Sequence, residues 1–93
     1  MRFAPAYTSQ FKKDFKRCEK RGLDMTELHT ILSKILADQA LGPRHRPHLL
    51  KGEFHGCWEC HIRPDWLLIW VRDEDQQEIQ LVRTGTHADL FDS

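Results

Sequence analysis

The 93-residue sequence is poor in the features that define several large protein classes. Three cysteines, Cys18, Cys57 and Cys60, are too few and too odd in number for a disulfide framework. The longest apolar run, Trp66–Val71, is six residues, where a membrane span needs roughly 20. The first residues, Met1-Arg2-Phe3-Ala4-Pro5, lack the apolar stretch of a signal peptide. There is no repeat, low-complexity tract or linker, so the expectation is one domain over residues 1–93. Neither sign of charge prevails, with 14 Lys and Arg against 14 Asp and Glu. Together these absences predict a small cytoplasmic domain in which most elements feed one core.

The even total hides a polarised distribution. Between Arg2 and Arg21 seven basic residues face two acidic ones, whereas Asp73, Glu74, Asp75 and Glu78 crowd four negatives together. Between Arg44 and Arg72 basic residues outnumber acidic ones five to three, and four of the six histidines fall there. Runs of this kind are ordinarily solvated faces, but a neutral protein with a basic face can still meet a phosphate backbone.

Periodicity divides the chain in two. Phe3–Tyr7 reads as a short strand that Pro5 restricts to an edge or an irregular pairing. Thr8 or Ser9 caps a helix carrying Phe11, Phe15 and Cys18 on one face, stopped at Gly22. Asp24, with Glu27 in a capping-box arrangement, starts a second helix whose stripe is Met25, Leu28, Ile31, Leu32, Ile35 and Leu36, ended by Gly42-Pro43. Residues 53–63 read as a half-buried strand and Trp66–Val71 as a central one. Residues 73–77 form a hairpin loop before a strand at Glu78–Arg83. His87–Phe91 is either a single helical turn or an extended tail. The predicted order is β-α-α-β-β-β: an α+β fold with a helical hairpin packed on a small antiparallel sheet.

His48, His61, Asp65, Arg83 and His87 fall at strand ends and turns, where a sheet can bring them to one edge. Imidazoles titrate near neutrality and exchange protons there. Two or three of them with an arginine suit in-line phosphodiester cleavage, the arginine stabilising the charged phosphorane. If the attacking group is the ribose 2′-OH, the substrate is RNA and neither metal nor cofactor is required. Histidines scattered along a chain are otherwise surface or structural residues. The Cys57-Trp58-Glu59-Cys60-His61 segment suggests a metal, but no second cysteine pair completes a zinc set, and strand positions i and i+3 point to opposite faces. Trp66 and Trp70 read as core. Phe91 either docks on a base or covers the edge of the core.

Three segments carry a resemblance: His48-Leu49-Leu50-Lys51-Gly52, Cys60 to Trp70 with its His-x-x-Pro-Asp-Trp pattern, and Arg83-Thr84-Gly85-Thr86-His87-Ala88-Asp89-Leu90-Phe91. In this order and spacing the chain resembles YafQ-type toxins of the RelE/ParE toxin–antitoxin superfamily. The resemblance implies a ribosome-dependent mRNA interferase that cuts mRNA in the ribosomal A site by 2′-OH attack and is held inactive by a cognate antitoxin. It puts catalytic roles on His48, His61, Asp65, Arg83 and His87, and substrate contacts on Trp66, Phe91 and Lys51, with no cofactor. His87 is the first choice for proton transfer and His48 or His61 its counterpart. Toxins of this superfamily are commonly basic, and this chain departs from them in being neutral. The Cys57/Cys60 pair lies outside the pattern. The alternatives are a ParE-like gyrase inhibitor, in which the histidines have no purpose, and a silent homologue that only binds an antitoxin.

Overall fold

Thr8 stops the first strand and starts the first helix in one residue. In the computed structural model, which describes residues 2–91, its side chain accepts the Phe11 N–H at 3.1 Å. The hydroxyl also donates to the Leu81 carbonyl at 3.0 Å, tying the helix start to the sheet. Helix α1 is Ser9–Lys20, and its buried residues are Phe11, Asp14 and Cys18. The expected face of Phe11, Phe15 and Cys18 packs on the core, with Phe15 half-buried, and the structure adds a buried carboxylate, Asp14, beside it. Met1, Asp92 and Ser93, the ends of the expected 1–93 domain, lie outside the described residues.

Helix α2, Met25–Leu36, buries Leu28, Ile31, Leu32, Ile35 and Leu36 as the stripe predicts. Asp24 caps it by accepting the Thr26 N–H at 3.1 Å. Glu27 does not complete a capping box. Its carboxylate instead takes Arg63 in a two-point grip at 2.8 and 2.7 Å. The helix ends six residues before Gly42, because the Leu36 carbonyl accepts the N–H groups of Arg2 and Phe3 and Asp38 turns left-handed at φ 58°.

The strands are β1 Ala4–Tyr7, β2 His48–Leu49, β3 Trp58–Arg63, β4 Trp66–Asp73 and β5 Glu78–Gly85, in sheet order β1-β5-β4-β3-β2. The layout is α+β, with two helices on a sheet as expected, but the sheet is mixed: β1 runs parallel to β5 while the other pairs are antiparallel. Strand β1 takes the edge position that Pro5 requires. Residues 53–57 are not strand, since a 3₁₀ turn at Gly52–Phe54 and a left-handed Gly56 at φ 88° precede β3. His87–Phe91 forms the short helix α3.

Alternation along β4 gives the sheet two apolar faces. Trp66, Leu68 and Trp70 join Phe11, Leu28 and Leu81 in the core under the helices. Leu67 and Ile69 join Leu90 and Cys57 on the opposite side. Each fully buried Leu or Ile contributes about 1.5–3 kcal/mol, so the central strand anchors both layers.

Candidate active site

The register of the sheet brings the histidine half of the chain together. His48 pairs with Glu59, Glu59 with Ile69, and Ile69 with Arg83. Cross-strand partners share a face, so these four positions form one row across the sheet, from which Arg83, beside the register shift at Ile69 and Trp70, turns its side chain to Asp14 of α1. Strands lie about 4.8 Å apart, so the row runs roughly 14 Å from His48 to Arg83. Two residues along, His61, Leu67 and Gly85 form a second row on the same face.

His87 and Asp65 make the closest pair. Asp65 Oδ1 accepts the His87 backbone N–H at 2.9 Å and its ring Nδ1 at 2.6 Å. These bonds, the backbone one first, hold the Asp65 carboxyl below the usual carboxylate range. The His61 ring lies 5.6 Å from that of His87, centroid to centroid. His61 Nδ1 donates to the Pro64 carbonyl at 3.2 Å. His48 Nδ1 donates to the Arg46 carbonyl at 2.7 Å, while its Nε2 sits 3.2 Å from Glu59 Oε1. Glu59 also lies 3.9 Å from His61 Nε2.

Glu59 is the site residue that sequence reasoning missed. It is 4% exposed, and its Oε2 is buried with no hydrogen-bond partner among the described residues. A carboxylate oxygen left open beside two imidazoles is an available acceptor. The sequence carries the signal, since Glu59 and His61 stand two residues apart in a strand and so share a face.

Arg83 reaches its position by a different route. Its Nε donates to Asp14 Oδ2 at 2.7 Å and its Nη2 to Asp14 Oδ1 at 3.2 Å, so α1 grips the guanidinium side-on. The short α3 is fixed from the same helix. Asp89 accepts Arg21 at 2.5 and 3.0 Å and the Thr86 N–H at 2.9 Å, and its own N–H donates to Thr86 Oγ1 at 3.1 Å. That reciprocal Thr86–Asp89 pair is a capping box, and the bond from Arg21 drives the Asp89 carboxyl strongly down. Arg17 and Arg21 are thus spent on internal carboxylates. The basic face of α1 is left to Lys12, Lys13, Lys16 and Lys20.

Trp66 is corrected. It is buried in the core under the helices, where its Nε1 donates to Thr84 Oγ1 at 3.0 Å, so it supports the site from beneath and presents no surface to a substrate. Phe91 is half exposed and leans edge-on against Phe54 at 5.6 Å, leaving one side of its ring open. Lys51 is exposed just after β2, with no ion pair among the described residues. Cys57 and Cys60 fall in opposite core layers, and burial pushes the Cys60 thiol up to about 12. Among the described residues no group of three or more His, Cys, Asp or Glu side chains converges closely enough to hold a metal ion.

Known proteins share this sequence pattern and fold. The family profile described as bacterial toxin of type II toxin–antitoxin system, YafQ, matches residues 3–92. The mRNA interferase toxin YafQ of Escherichia coli K12 is 34% identical over 86 residues, covering 91% of each chain. A chain of the E. coli DinJ–YafQ toxin–antitoxin complex matches with a TM-score of 0.87 at 32% identity, over 98% of this chain and 99% of that one. A metal-bound toxin from Helicobacter pylori matches with a TM-score of 0.90 at 32% identity, over 96% and 99%. The match over nearly the whole length, in sequence and in fold, means that this chain belongs to the YafQ family of bacterial toxins of type II toxin–antitoxin systems.

Proposed function

We propose that the protein is a ribosome-dependent endoribonuclease, an mRNA interferase that cuts translated mRNA by attack of a ribose 2′-OH on the adjacent phosphate. The observation that carries this reading is the Asp65–His87 pair beside His61, with Glu59 and His48 on the same face. Asp65 is an ionised acceptor, so His87 Nδ1 must donate to it. In the neutral ring Nε2 is then left with its lone pair, ready to take or return a proton. His61 or His48 supplies the complementary transfer, at the 2′-OH or at the departing 5′ oxygen. Arg83 balances charge on the phosphorane. Phe91 offers a face on which a base can stack, and Lys51 a cation for the backbone. Every group the reaction needs is a side chain of this chain, and the reaction is proposed to be independent of metal.

The whole chain acts as one domain in this reading, in the cytoplasm, on mRNA in the ribosomal A site. Its lysine-bearing α1 compensates for a neutral total charge. The DinJ–YafQ complex supports a protein antitoxin as the second partner. Mapping the 5′ ends of mRNA fragments after brief expression tests the reading. Discrete cuts that require translation are expected. Growth arrest with whole mRNA and failed gyrase supercoiling would contradict it.

A further inference from the structure

Asp14 is a fully buried carboxylate in a helix otherwise studded with lysines and arginines, and nothing in the reaction described above uses it. It collects five donors. Oδ1 accepts Gln10 Nε2 at 3.1 Å, Arg17 Nη2 at 2.9 Å and Arg83 Nη2 at 3.2 Å. Oδ2 accepts Arg83 Nε at 2.7 Å and the Thr84 N–H at 3.1 Å. Residue 14 thus fixes both the side chain of Arg83 and the backbone that carries it.

We propose that Asp14 is the positioning residue for Arg83, holding its guanidinium in the orientation that phosphodiester cleavage requires. This rests on the ribonuclease reading of the site. The grip is side-on, through Nε and Nη2, so Nη1 keeps its two N–H groups without a partner among the described residues, and the side chain remains one-fifth exposed. Arg17, Arg21 and Arg83 share Asp14 and Asp89, so three cations meet two carboxylates and one positive charge is left over. A single aspartate can therefore immobilise Arg83 without cancelling its charge.

The arrangement is more than a tie between helix and strand. Buried ion pairs are frequently no more stabilising than apolar packing of the same volume. A cation fixed before the substrate arrives, in contrast, needs no reorganisation when charge develops on the phosphorane. An untethered arginine on an exposed strand end would sample many rotamers, and its contribution would fall with the fraction of time spent aimed at the phosphate.

The test is single-turnover cleavage of ribosome-bound mRNA by purified protein, paired with ribosome binding and with the NMR signal of the Arg83 Nε–H, identified by its absence in Arg83→Lys. Asp14→Asn keeps the shape of the side chain and removes its charge and one acceptor. It is expected to slow cleavage about 10²-fold, the scale of losing one preorganised donor. Ribosome affinity should change little, and the sharp Arg83 Nε–H signal should be lost. On an Arg83→Ala background Asp14→Asn should cost nothing further, which a merely structural role would not produce. Arg83→Lys keeps a cation but cannot take the two-point grip, so it should lose most of the rate even if Asp14→Asn proves unable to fold. A cleaving wild type with an Asp14→Asn rate within twofold, an additive double mutant, or a fully active Arg83→Lys would each overturn the positioning role. If wild-type protein leaves ribosome-bound mRNA whole, the ribonuclease reading itself fails and takes this role with it.

Discussion

Asp65 Oδ1 binds His87 twice, at the backbone N–H and at ring Nδ1. One short side chain at the β3–β4 turn therefore sets the entry of α3, the rotamer of the imidazole and its tautomer. The second clamp on α3 comes from the opposite side of the sheet, where Arg21 grips Asp89. The short helix bearing His87 and Phe91 is held at its N-terminal end by two carboxylates.

Acid should release that helix. Both Asp65 and Asp89 have folded-state pKa values below the ordinary one, Asp65 through the His87 backbone bond and Asp89 through Arg21. A depressed carboxyl stabilises the fold above its unfolded pKa of about 3.9, and that contribution is lost as pH falls through the folded value. Amide signals of residues 86–90 should stay native at pH 5 and change below about pH 4, before or with global unfolding. Detachment of α3 already at pH 5–6 would contradict the two clamps.

Gly85 is needed for the second clamp. A Cβ there would lie 2.8 Å from Asp89 Oδ2 and 3.0 Å from Arg17 Nη2. Gly85→Ala should cost about 1–3 kcal/mol, the usual range for overpacking. It should also depress cleavage more than stability, because the displaced group is the base of α3. Thermal melts and cleavage rates on the same preparation decide this.

Trp66 should act through stability alone. Trp66→Ala and Trp70→Ala each truncate a buried aromatic under the helices and should cost about 3–5 kcal/mol. Trp66→Phe keeps most of the volume and removes the bond to Thr84, at about 0.5–1.5 kcal/mol. At a temperature where it is folded, Trp66→Phe should cleave at the wild-type rate. A folded Trp66→Phe with a large loss of activity would return Trp66 to the substrate surface.

Chelation should leave activity intact. EDTA treatment of the toxin, followed by assay on ribosomes with their own magnesium, should not reduce cleavage. Cys57→Ser should remain toxic, since Cys57 lies in the apolar layer with Leu67 and Ile69. Stoichiometric zinc in the purified protein, with activity lost on its removal, would contradict both expectations.

What could be read directly from the chain was local. The stripes of α2 and β4, the caps of α1 and α2 and the β4–β5 hairpin are each written in one unbroken stretch of chain. What could not be read depends on distant partners. The parallel pairing of β1 with β5 joins residues 4–7 to residues 78–81, and the early end of α2 follows from Arg2 and Phe3 claiming the Leu36 carbonyl. The two-residue strand at His48–Leu49 exists only because Trp58 and Glu59 lie beside it. The site followed the same division. Histidines and Arg83 stood out by residue type and motif, whereas Asp14 looked like one acid in a basic helix, its partner 69 positions away.

His87 is the centre of the account, and it is also dispensable to the fold, being more than half exposed at the start of α3. The most direct measurement is therefore the rate of ribosome-bound mRNA cleavage by purified His87→Ala, beside its thermal melt. The predicted result is a melt within a few degrees of wild type and a rate lower by about 10²–10⁴-fold, the cost of losing a proton-transfer group. A folded His87→Ala that cuts at the wild-type rate would contradict the mechanism and shift the proton transfers to His48, His61 and Glu59.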